Sequence, residues 1–129
     1  MNHVDDLLFK EECFKIIGLS MKVHRSPGKG FREVIYKDAL ELEFLNNAIP
    51  YEREKKYTVL YNGIELKSKF VADFVVFSKI VLEIKAKSGL TTASFKQTVN
   101  YINGTGIELG ILINFGGDSL AFQRIVKTR

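Results

Sequence analysis

Three side chains in the middle of the chain, Asp73, Glu83 and Lys85, have the types and spacing to run chemistry on a divalent cation. The stretches Lys69 to Phe77 and Ile80 to Lys87 are rich in Val, Ile and Phe and joined only by Ser78 and Lys79, which predicts a β-hairpin. With the turn near Ser78, residues whose numbers sum to about 156 face each other, so Asp73 lies opposite Glu83. Side chains alternate along a strand, which puts Lys85 on the face of Glu83. That face reads Val71, Asp73, Val75, Phe77, Val81, Glu83, Lys85, Lys87; the other, Phe70, Ala72, Phe74, Val76, Ile80, Leu82, Ile84, Ala86, is wholly apolar.

Two facing carboxylates repel each other, and burying their charge costs several kcal/mol unless something compensates it. A divalent cation compensates it. Mg²⁺ or Mn²⁺ would take oxygens from Asp73 and Glu83, with the backbone carbonyl of Ile84 as a further ligand and waters or a phosphate completing the shell. Lys85 would then hold or deprotonate an attacking water and meet negative charge developing on phosphorus. The competing reading is a half-exposed hairpin on which Glu83 and Lys85 form an ordinary surface ion pair.

The elements around the hairpin must present it. Apolar residues at helical spacing (Leu8, Phe9, Cys13, Ile16, Ile17, Met21) predict a first helix from Asp5 to about His24, stopped by Arg25-Ser-Pro-Gly-Lys-Gly30. A second helix is expected from about Phe31 to Asn46, with Phe31, Val34, Ile35, Leu42 and Leu45 along its buried side. Lys56 to Tyr61 and Ile64 to Lys67 flank Asn62-Gly63, a strong hairpin signal. Thr91 to Asn103 reads as a helix capped by Thr91 or Thr92 and ended by Gly104-Thr-Gly106. Leu109 to Phe115 reads as a strand buried on both faces, parallel to a hairpin strand because a helix separates them. Leu120 to Val126 is too short to assign. The expected order is α-α-β-β-β-β-α-β, a mixed sheet covered by helices, and 129 residues give one domain, 1–129.

Composition narrows the classes of function. The single cysteine, Cys13, allows no internal disulfide and no cysteine-held zinc or iron–sulfur cluster. The longest uncharged run, Gln97 to Ile107, and the most apolar one, Leu109 to Gly117, are each about half of a membrane-spanning helix, so a cytoplasmic protein without a membrane partner is expected. Residues 1–50 carry 7 Lys/Arg against 8 Asp/Glu, and residues 51–129 carry 12 against 7. The basic C-terminal part suits a phosphate-bearing partner, though many soluble proteins share such a bias. Gly28-Lys29-Gly30 follows a helix instead of a strand and lacks the Gly-Lys-Ser/Thr ending, so it is not a P-loop.

Ala72-Asp73, ten positions before the glutamate of Glu83-Ile84-Lys85, resembles the PD-(D/E)xK nuclease signature, with alanine in the proline position. Gly30-Phe-Arg-Glu33-Val-Ile-Tyr36, the preceding Val23-His24-Arg25, Gln97-x-x-x-Tyr101 and Leu112-Ile-Asn-Phe-Gly116 are similar to the GxxExxY family of that superfamily. The similarity runs from about residue 12 to 126. It implies a restriction-endonuclease-like αβββαβ core with an extra N-terminal helix. It further implies that Glu33 completes the metal site or positions water, and that Gln97 and Tyr101 contact substrate or the active site. Gln97 and Tyr101 stand four apart, on one side of their helix. Without the family, Glu33 reads as a first-turn acid favoured by the helix N-terminus. Tyr36 reads as a core or supporting residue. His24 would either approach the metal site or cap its helix end. Lys67, Lys69, Lys87 and Lys96 surround the site in sequence and could meet phosphates, solvated lysine being the default for each.

The expected activity is Mg²⁺- or Mn²⁺-dependent hydrolysis of phosphodiester bonds in nucleic acid, DNA being the favoured polymer. Asp73 and Glu83 would be ligands, Lys85 would activate water, Glu33 would assist and Gln97 would orient substrate. The alternative is a catalytically silent nucleic-acid-binding or assembly module with the same fold. A structure-selective resolvase would need a dimer, and the small surface leaves room for a homodimer or protein partner.

Overall fold

The computed structural model describes residues 8–127. Helices α1 (Lys10–Arg25) and α2 (Glu33–Asn46) lead into strands β1 (Tyr51–Tyr61), β2 (Ile64–Val76) and β3 (Ile80–Lys85). Helix α3 (Thr92–Thr105) and strands β4 (Leu109–Asn114) and β5 (Ala121–Val126) follow. The five strands form one sheet in the order β1-β2-β3-β4-β5, antiparallel except for the parallel pair β3 and β4. The crossover through α3 makes that pair parallel, as expected from sequence. Ile64 to Phe77 is not two strands: β2 runs unbroken from Ile64 to Val76, and the unassigned C-terminal segment is β5 on the sheet edge. The start of the first predicted helix, Asp5 to Leu7, lies outside the described residues.

Local chemistry accounts for most boundaries. Asn62 (φ 51°) and Gly63 (φ 80°) turn β1 into β2, both left-handed, as a type I′ turn requires. Between β2 and β3 the left-handed pair is Phe77 (φ 57°) and Ser78 (φ 58°), with the Lys79 amide donating to the Val76 carbonyl at 3.1 Å. Thr91 caps α3 by accepting from the Ser94 amide at 3.1 Å, and Gly106 (φ 78°) closes it.

One face of the sheet packs on α1 and α2 through Phe74, Val76, Ile80, Leu82, Ile84, Leu109, Ile111 and Ile113. The other packs on α3, where Leu112 and Ile125 meet Ile102. The buried side of α2 differs from the sequence expectation. Tyr36, Leu40 and Phe44 are fully buried at i, i+4 and i+8, whereas Phe31, Val34, Ile35, Leu42 and Leu45 are exposed. The helix has apolar residues on both sides, so periodicity alone did not choose between them. Tyr36 and Phe44 decided it, because Tyr36 stacks on Phe115 and Phe44 meets Phe74 edge to face, at 4.8 and 5.4 Å between ring centres.

That assignment has a measurable consequence. Leu40→Ala should cost about 3 kcal/mol of unfolding free energy, the usual range for a buried leucine. Leu42→Ala, 59% exposed in the wild type, should stay within about 0.5 kcal/mol. Urea denaturation of both variants checks the pair, and the reverse ranking would reverse the face.

Candidate active site

The ladder between β2 and β3 is short, and where it stops the site begins. Val76↔Ile80, Val75↔Val81 and Phe74↔Leu82 pair in the predicted register, which sets Asp73 opposite Glu83. There side chains replace the backbone ladder. The Asp73 amide donates to Glu83 Oε2 at 3.2 Å, and Asp73 Oδ2 accepts from the Ile84 amide at 2.7 Å. The hairpin opens and is held open by its own acids.

The same point reverses the parity of both neighbouring strands. Arg53↔Phe74 and Lys55↔Ala72 pair normally, and between them Glu54 adopts a left-handed backbone with φ 56°. On one side of this break Phe74 and Val76 face α1 and α2. On the other, Ala72 joins Val75 and Val81 on the α3 side, and Phe70 stacks on Tyr101. The division into two regular faces predicted from alternation is therefore corrected: Phe70 and Ala72 do not share a face with Phe74. Strict alternation fails at Asp73, opposite the left-handed backbone of Glu54.

Two residues of the cluster were not foreseen. Lys37, on the buried side of α2, donates to Asp73 Oδ1 at 2.9 Å and also to Glu54 Oε2. Lys37 could have been suspected only from its place among Tyr36, Leu40 and Phe44, where a buried cation demands partners. Glu54 gave no signal, since an acid in an alternating strand reads as solvated. Burial opposes the Lys37 ammonium, but the carboxylates of Glu54 and Asp73 outweigh it and hold its pKa above the usual lysine value. Glu83 is buried, and burial together with the Asp73 charge pushes its pKa up to about 8, while the Asp73 amide, Lys85 and Lys37 pull the other way.

The remaining predicted residues do not all gather at the acidic pair. Lys85 projects on the Glu83 side and donates to Gln97 Oε1 of α3 at 3.3 Å, and Tyr101 stands one turn further along α3. Glu33 opens α2 one turn before Lys37, the residue that reaches Asp73, with its side chain half-buried. Ile84 presents its amide to Asp73. His24 bonds the Gly117 carbonyl through Nε2 at 2.9 Å. Lys87 and Lys96 are exposed and have no carboxylate partner among the described residues.

The sequence motifs around the site support its frame. Tyr36 stacks on Phe115, and its hydroxyl donates to the Gly28 carbonyl at 2.5 Å and accepts from the Phe31 amide at 3.3 Å. Asn114 accepts from the Lys87 amide at 2.9 Å and donates to the Lys87 carbonyl at 3.0 Å. A Cβ at Gly116 would collide with the Lys87 backbone, so only glycine fits. These contacts tie the ends of β3 and β4 to the start of α2.

No group of three or more His, Cys, Asp or Glu residues gathers as a metal cage among the described residues. Asp73 and Glu83 are a pair. One or two carboxylates are what Mg²⁺ usually takes from a protein. Glu83 Oε1 accepts no hydrogen bond from a described residue, so the donor set fits a hard divalent cation. No helix among the described residues is long and apolar enough to cross a membrane.

Fold and site together define an α/β protein with an acidic pair and a lysine where a central hairpin parts. The chain matches the model of the PD-(D/E)XK nuclease superfamily over residues 10–125, and it belongs to that superfamily. Among solved structures it is similar to the crystal structure of SSO0001, at 28% identity and a TM-score of 0.58, covering 75% of this chain and 51% of that one. It also matches an alkaline exonuclease (LHK-Exo) from Laribacter hongkongensis at 10% identity and a TM-score of 0.48, covering 68% of this chain and 52% of that one. The chain thus spans about half the length of these structures. No curated protein matches it.

The raised pKa of Glu83 sets a pH dependence. Between its ordinary value of 4.5 and about 8 the folded protein holds a proton that the unfolded chain has released. Unfolding free energy should therefore fall as pH rises through that window, by on the order of a few kcal/mol in chelator. Glu83→Gln should flatten the slope. Urea midpoints from pH 5 to 8 for both proteins check this, and parallel slopes would contradict it.

Proposed function

We propose that this protein is a divalent-metal-dependent nuclease of the GxxExxY type that hydrolyses phosphodiester bonds in DNA. The observation that carries the reading is the parted hairpin. It buries Glu83 opposite Asp73 and leaves Lys85 beside them, braced by Gln97. Membership of a nuclease superfamily supplies the reaction class.

In this reading Asp73 and Glu83 hold Mg²⁺ or Mn²⁺, with the Ile84 carbonyl as a further oxygen. The bound cation would supply Lewis-acid polarisation of the phosphate and a more acidic water. Lys85 orients the attacking water and meets the charge that develops on phosphorus, with Gln97 fixing its ammonium. Lys37 balances the charge of Asp73 and holds it in place, and Glu54 gives that ammonium a second acceptor. Glu33, one turn before Lys37, assists from the α2 side, and Tyr101 contacts substrate beyond Gln97. Lys87 and Lys96, lacking carboxylate partners among the described residues, are suited to phosphates. His24, bound to Gly117, serves the frame more readily than the substrate.

One observation favours the second reading, a catalytically silent nucleic-acid-binding module. Lys37 already occupies Asp73 Oδ1, as a resident cation would.

Purified protein should cleave single-stranded, duplex or branched DNA only with Mg²⁺ or Mn²⁺. Lys85→Ala should lower the rate by about 100-fold or more, the usual loss when one transition-state charge contact goes. Undiminished cleavage by the variant would rule out the assigned mechanism. Salt-sensitive binding that survives Asp73→Ala and Glu83→Ala, with no cleavage by wild type, would establish the silent module instead.

A further inference from the structure

Beyond the acidic pair, the β1–β2 hairpin and α3 build a second feature. Tyr57 and Phe70 pair across the strands and stack at 5.2 Å with an interplanar angle of 17°. Phe70 stacks in turn on Tyr101 at 4.6 Å and 4°. Against this aromatic column lies a cavity of about 430 Å³, walled by Leu60, Phe70 and Tyr101 and bordered by Asn100 and Gly104. Its size falls in the range of about 300–1,000 Å³ typical of small-ligand sites.

The lining has a distinct chemistry. Leu60 is 65% exposed and shares the cavity lining with Phe70 and Tyr101. The Asn100 amide makes no hydrogen bond among the described residues, so two donors and an acceptor are available at the rim. Lys96, one turn before Asn100 on α3, has no carboxylate partner among the described residues. Tyr101 both walls the cavity and follows Gln97 by one turn, and Gln97 accepts from Lys85. Phe70 is covered by Tyr57 and Tyr101, so Tyr101 ends the stack, and that ring, an apolar lining, an edge-reading amide and a nearby cation match a nucleobase with its phosphate.

We propose that this cavity is a nucleobase site, taking one unpaired base between Leu60 and Tyr101, the end ring of the stack, with its edge toward Asn100. The inference rests on the nuclease reading and specifies its substrate class: strands with unpaired bases beside the site, single or branched, in preference to continuous duplex. A base inside a duplex has both faces stacked and its pairing edge engaged, so it cannot enter without leaving the helix.

The test is binding without turnover. In chelator, wild-type protein should bind a short single-stranded DNA more tightly than a blunt duplex of the same sequence. A 2-aminopurine placed in the single strand should lose fluorescence as it stacks. Leu60→Ser with Asn100→Ala, both at exposed positions, should weaken single-strand binding by about tenfold. The same variant should abolish the fluorescence change and leave duplex binding alone. Equal weakening on both polymers, or undiminished single-strand binding, would overturn the site. RNA of the same sequence runs alongside, and base-dependent binding to either polymer supports it. Parallel cleavage assays with Mg²⁺ keep the two readings apart. Cleavage without base-dependent binding removes the cavity's role and leaves the nuclease. Base-dependent binding without cleavage retains the cavity and removes the catalytic reading.

Discussion

Two carboxylates face each other across β2 and β3, one of them buried, and the surrounding structure is arranged to tolerate that repulsion. Without compensation, such a pair would cost several kcal/mol. The sheet answers by giving up part of its own ladder, so that amides of Asp73 and Ile84 donate to the acids instead of to the partner strand. The α2 side answers with Lys37, and β1 answers with a left-handed residue at Glu54 that sets its carboxylate against the same ammonium. What remains uncompensated appears as the raised pKa of Glu83. A site that keeps an acid in this condition has a standing affinity for added positive charge, which connects its electrostatics to the superfamily's chemistry.

Such a cluster needs a rigid frame, and the frame is aromatic and backbone-based. Tyr36 stacked on Phe115, Asn114 bracketing Lys87 and His24 on Gly117 lock the ends of β3 and β4 to α1 and α2. Several motifs that mark the family resemblance are therefore structural. The tyrosine of Gly30-x-x-Glu33-x-x-Tyr36 ties the turn at Gly28 to the core, while its glutamate is left one turn from the charged cluster. Packing and chemistry share one short helix.

Much was legible in the sequence because it depends on near neighbours. The turn at Asn62-Gly63, the cap at Thr91, the stop at Gly106 and the parallel placement of β4 follow from backbone preferences and connection lengths. The hairpin register also follows from its turn, so Asp73 opposite Glu83 could be read before any fold was known. The buried face of α2 could not, because Val34, Ile35, Leu42 and Leu45 repeat as convincingly as Tyr36, Leu40 and Phe44. Which stripe turned inward depended on ring partners contributed by β2 and by the segment after β4.

By itself, then, the sequence determined the helices, most strands and the meeting of Asp73 with Glu83, all of which are set by contacts within one hairpin or one turn. Only the tertiary structure decided that Lys37 and Glu54 join them and that Phe70 and Ala72 turn to the α3 side. Those outcomes arise where three separate elements converge on one buried charge, and periodicity along a single element carries no record of that charge.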